Sequence, residues 1–212
     1  MQLIAALIPP GSVRENLAAV VRSVPGDPGE LRPVPPALLH TPLASFGNVA
    51  LGDRQKLAVA LRDAVGQCQP LRLSFHGSNA LEESGDDSVW ATLNGDIEPL
   101  TDLAAQIRTA VRRIGFLLDR RNFRGRARVG RITDTTTAPY LHRLVDRLDE
   151  YDGPAWVVDE VALVRAQPRG ADGHQPPFEV LELVSMSRAL HVPAADTHEA
   201  SVATRPREWG TR

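Results

Sequence analysis

His40 and Thr41 stand side by side in a mostly apolar stretch, and Arg126 and Arg128 alternate within an arginine-rich one. Imidazole gives and takes protons near neutral pH, which makes His40 a candidate general acid or base. A guanidinium has a pKa above about 12 and offers donors but no lone pair, so the arginines suit anion binding better than proton transfer. Residues two apart on a strand share a face, and Arg126 and Arg128 could there present two forks to one phosphate. A solvated strand face, or pairing with the acidic loop at 82–87, fits the same spacing. Local sequence alone also lets His40 read as a satisfied histidine in an apolar strand.

The remaining candidates carry less chemistry. Arg120, Arg121 and Arg124 precede the Arg126 segment and read as solvent-exposed, or as a basic rim that steers RNA. His76 and His142 lack the partner spacing of a metal site or a catalytic dyad. Cys68 is the single cysteine, which leaves no internal disulfide and no zinc or redox cluster. Gly125 and Gly130 flank a strand without forming a nucleotide-binding fingerprint. Trp90 and Trp156, among apolar neighbours, read as core. Neither a metal nor a cofactor is implied.

The net charge of -2 argues against whole-surface attraction to nucleic acid, so any such contact must be local. No window approaches the roughly eighteen apolar residues of a membrane span. A cytoplasmic monomer is the expectation.

Several elements must position these side chains. Residues 2–8 read as a buried strand ended by Pro9, Pro10 and Gly11, with Ser12 capping a helix over 13–24. Residues 38–49 read as a strand in which Pro42 is an irregularity, and 53–66 as a helix capped by Asp53. Alternation at 71–76 and 89–93 predicts a hairpin. Leu100, Leu103, Ala104, Ile107, Val111 and Ile114 mark a helix over 97–115. Thr137 and Pro139 open another helix, reaching about Tyr151, and strands follow near 157–165 and 178–186. Both halves thus read as strand, helix and strand, an α+β, two-lobed duplicated fold with two antiparallel sheets around a central cleft and helices outside. The folded unit spans 1–191, and 192–212, lacking apolar periodicity, reads as a flexible tail in which Trp209 could anchor.

The order of segments resembles the two-histidine phosphoesterases, in particular the bacterial 2′-5′ RNA ligase and RNA 2′,3′-cyclic phosphodiesterase group. The likeness covers about residues 2–186. It rests on the opening strand with Pro9 and Pro10, on His40, Thr41, Pro42 and Leu43 with Phe46 and Gly47, on Val89 and Trp90 before Leu93, on Phe123, and on the strand near 156–165.

The resemblance implies two His-x-Thr motifs on strands, with one histidine as base and the other as acid. It places His40 in the cleft, with Pro42 at the threonine position and Thr41 one residue early. A bulge at Pro42 would bring Thr41 back toward the cleft. In the second motif Arg126 takes the histidine position and Arg128 the threonine position. The implied function is a divergent cyclic phosphodiesterase or ligase-like protein whose catalysis is impaired. It would bind an RNA end or nucleotide carrying a cyclic phosphate through His40, Thr41, Arg126 and Arg128. A non-catalytic nucleotide- or RNA-binding, or protein-interaction, role on the same fold is the alternative.

Overall fold

A computed structural model describes residues 1–80, 87–116, 118, 123–167 and 177–187. Residues 82–86 of the acidic loop, Arg120, Arg121 and the tail at 192–212 lie outside the described residues.

Among the described residues nine strands form two sheets in which every pairing between strands is antiparallel. The apolar opening segment becomes β1 (Gln2–Leu7), an inner strand held between β3 (Thr41–Asn48) and β8 (Glu160–Ala166), with β9 (Phe178–Ser185) beyond β8. The second sheet runs in the order β2 (Leu31–Pro33), β6 (Arg126–Ile132), β5 (Ser88–Gly95), β4 (Leu71–Ala80) and β7 (Trp156–Val158). This is the expected α+β architecture with two antiparallel sheets. The lobes do not follow the two halves of the chain, however: β1 and β3 share a sheet with β8 and β9, and β2 crosses over to pair with β6.

One strand prediction needs correction, and one strand is absent from the predictions. The strand expected over 157–165 is divided at Asp159, so that β7 joins the five-stranded sheet and β8 the four-stranded one. The three-residue β2 is too short to show an alternation of its own, and the sequence reading lacks it.

The helices are α1 (Gly11–Arg22), α2 (Arg54–Val65), α3 (Ile97–Arg113) and α4 (Ala138–Asp149). On α3 the expected stripe is fully buried at Leu100, Leu103, Ala104, Ile107 and Val111, whereas Ile114, just past the end of the helix, is exposed; each large buried side chain contributes about 1.5–3 kcal/mol by leaving water. Thr137 caps α4, accepting from the Tyr140 amide. Ser12 and Asp53 do not cap: α1 begins at Gly11 without a side-chain cap, and the Asp53 carboxylate pairs with Lys56 at 3.2 Å instead. At the turn from β5 into α3, Gly95 has φ +108°, and a Cβ there would sit 2.3 Å from the Arg72 carbonyl oxygen.

One core joins both sheets to the helices. A second, smaller apolar cluster lies on the other face of the four-stranded sheet, where Ala6, Ala162 and Val164 pack with Ile4, Ile8 and Phe178. Alternation along β1 explains the split, since Leu3, Ala5 and Leu7 belong to the main core while Ile4 and Ala6 turn away from it. No helix among the described residues is long and apolar enough to cross a membrane.

Candidate functional site

His40 lies beside this second apolar face. A single 3-10 turn, Pro36–Leu38, leads the chain to it, and β3 begins one residue later. The Nδ1 of His40 lies 2.8 Å from the Leu38 carbonyl oxygen. Only a protonated Nδ1 can bond to a carbonyl, so the neutral ring keeps its lone pair on Nε2. The ring also meets Phe178 edge-on, with centroids 5.0 Å apart. Burial pushes the His40 pKa below its ordinary value, the Leu38 carbonyl opposes that shift, and the charge of Arg128 adds to it. Burial and the Arg128 charge thus favour the neutral imidazole over its protonated form.

The structure separates Thr41 from His40. Thr41 pairs with Leu7 across β1 and is fully buried, and its hydroxyl has no hydrogen-bond partner. Pro42 occupies an edge strand opposite Ala6, and the register shifts between Pro42 and Ala44. The irregularity expected at Pro42 is therefore present, but it falls after the proline and leaves Thr41 on the core side. As it stands, the Thr41 hydroxyl is closed off from any ligand that His40 could reach. His40 and Pro42, two apart, share the outward face.

The arginine pair lies on the five-stranded sheet, where β5 pairs with β6. Trp90 stands opposite Arg128, Thr92 opposite Arg126, and Ala91 opposite Ala127. Ala91 and Ala127 are buried, whereas Trp90, Thr92, Arg126 and Arg128 are partly exposed on the opposite face. The guanidinium carbons of Arg126 and Arg128 lie 4.2 and 5.0 Å from the centre of the Trp90 ring. Trp90 is thus not a core residue like Trp156, which packs against Phe75 inside the molecule. The strand alternation already held that signal, because Val89, Ala91 and Leu93 share the buried face that Trp90 leaves.

Pairing with the acidic loop is realised at Arg131, whose Nε lies 2.8 Å from an Asp87 carboxylate oxygen. That hydrogen bond holds Asp87 below the usual carboxylate range, and Arg128 adds to the effect. His76 accounts for itself structurally, bonding the Tyr151 carbonyl oxygen through Nδ1 at 3.1 Å. Cys68 is partly buried on the helical side near Gln106. Among the described residues no group of three or more His, Cys, Asp or Glu side chains could hold a metal ion.

No family model matches the chain. It is 29% identical over 133 residues to an RNA 2′,3′-cyclic phosphodiesterase of Archaeoglobus fulgidus, a match covering 62% of this chain and 73% of that protein. Its fold superposes on TT0787 of Thermus thermophilus with a TM-score of 0.71 at 22% identity, over 87% of this chain and 97% of that one. For E. coli LigT in complex with 3′-AMP the TM-score is 0.69 at 18% identity, over 88% and 98% of the two chains.

The fold is therefore that of these solved structures, and the sequence is similar to that of a cyclic phosphodiesterase. Within this LigT-like fold, His40 and the Arg126–Arg128 face come from different sheets, and the Arg128 charge still acts on the His40 ring. Chemically the arrangement offers one lone pair for a proton and two fixed positive charges for an anion.

Proposed function

We propose that the chain binds a phosphate-bearing RNA end or nucleotide, a 2′,3′-cyclic phosphate above all, with turnover weakened by the arginines of its second motif. The observation that carries this reading is His40, locked as the Nδ1–H tautomer and within the field of Arg128. In such a site Nε2 of His40 takes the proton of an attacking water, while Arg126 and Arg128 offset the negative charge that builds on the phosphoryl oxygens. Arg126, where the resemblance puts the second histidine, has no lone pair and gives up its proton too reluctantly to serve the leaving oxygen. The acid step then falls to water, which is why turnover is expected to be slow.

The same feature favours a second reading, a protein that recognises the phosphate without hydrolysing it. Hydrolysis of an RNA carrying a terminal 2′,3′-cyclic phosphate, measured for wild type and His40→Ala with binding followed in parallel, separates the two. Slow hydrolysis abolished by the substitution supports the impaired enzyme, and His40-dependent binding without product supports the recognition protein. Absence of both binding and hydrolysis refutes the phosphate site.

A further inference from the structure

We propose that Trp90 is the positioning residue that holds the Arg126 and Arg128 guanidiniums in place on the cleft face. The inference rests on the reading of those arginines as the anion-binding pair. Two arginines two apart on one strand face repel each other, and each long side chain loses rotamer freedom when it is fixed. A site that must receive phosphate needs both already in place, because disorder in the free state subtracts from affinity.

Trp90 is placed to order such a pair. It stands directly across the ladder from Arg128 and diagonally from Arg126, which is opposite Thr92. Both guanidiniums lie close to one indole, at 4.2 and 5.0 Å from its centre, within the range where the negative face of the ring attracts a cation. Thr92, the neighbouring β5 residue on this face, has its hydroxyl committed to the His76 carbonyl oxygen. The indole is rigid and partly buried, so it orders two flexible cations at little entropic cost of its own. Its charge is zero, so it offsets their mutual repulsion without neutralising the positive field that a phosphate meets. An acidic side chain in the same place would hold the arginines but compete with the ligand.

The test has a ligand-free part and a ligand part. Order parameters of the Arg126 and Arg128 Nε–H groups, measured by NMR without ligand, are expected to be high in wild type and to fall in Trp90→Leu. Trp90→Phe, which keeps an aromatic face, should hold them near the wild-type value. Unchanged arginine order in a folded Trp90→Leu variant overturns the proposal. Inorganic phosphate is the ligand probe: Trp90→Leu should weaken its binding about tenfold and have no effect in an Arg126→Gln, Arg128→Gln background. An equal loss in that background overturns the proposal too, since Trp90 would then act independently of the arginines. If the arginines lose order as expected while wild type binds no phosphate, Trp90 keeps its positioning role and the phosphate reading alone fails.

Discussion

His40 enters the four-stranded sheet at the start of β3 and Arg128 lies on β6 of the five-stranded sheet, yet the guanidinium charge of the second lowers the basicity of the first. Burial is the larger cause of that shift, and the two act together. Arg128→Gln should therefore raise the His40 pKa, read from the pH titration of its ring signals by NMR. An unchanged midpoint would place Arg128 too far from the imidazole to act with it.

The same shift links His40 to stability. The folded-state pKa is lowered, so between it and the ordinary value of about 6.5 the unfolded chain binds more protons than the folded one. Stability carries no penalty from His40 above that window and declines as pH falls through it. Urea unfolding at pH 7.5 and pH 5 should show a smaller drop for His40→Asn than for wild type.

Arg126→His combined with Arg128→Thr should restore the second motif that the resemblance implies, placing an imidazole where proton donation is missing. A positioned acid–base group contributes about 10²- to 10⁴-fold. Hydrolysis of adenosine 2′,3′-cyclic phosphate by the double variant should rise toward that range. A variant that folds and stays as slow as wild type would show that the second position does not limit turnover.

Glu30 governs a different property. It is buried, with its carboxylate accepting from the Thr137 hydroxyl and amide at the start of α4 and from the nearby Asp27 amide. The Thr137 hydroxyl is the main reason its pKa is lowered. That stabilisation is complete above the ordinary glutamate pKa and is lost as pH falls through the folded-state value. Glu30→Gln should unfold at lower denaturant than wild type at pH 7, with the difference shrinking at acid pH. A difference independent of pH would assign the loss to packing.

Ile107→Ala serves as the contrast, because it opens a hole in the main core away from the cleft. It should cost about 2–5 kcal/mol in chemical denaturation and leave phosphate affinity unchanged.

Where the sequence is legible, one periodicity dominates. The α3 stripe and the alternating residues of β4 and β5 can be read directly, because each buries a single face against one core. Partner choice is less legible. Val157 and Val161 lie in one apolar stretch, yet β7 and β8 belong to different sheets, and no local pattern encodes that division. Arg126 and Arg128 are visible as a same-face pair, whereas Trp90 reads as core when its apolar neighbours are weighed above its own phase. Thr41 escapes the sequence for a related reason: a bulge can be foreseen from a proline, but not the side of the proline on which it falls.

Whether His40 and the two arginines serve one phosphate can be read by NMR. A short RNA ending in a 2′,3′-cyclic phosphate would be titrated into wild type and into Arg126→Gln, Arg128→Gln while the His40 ring signals are followed. A saturable shift of His40 is expected in wild type, with at least about tenfold weaker binding in the double variant. No binding by wild type, binding that leaves His40 unmoved, or equal affinity in the two proteins would contradict it.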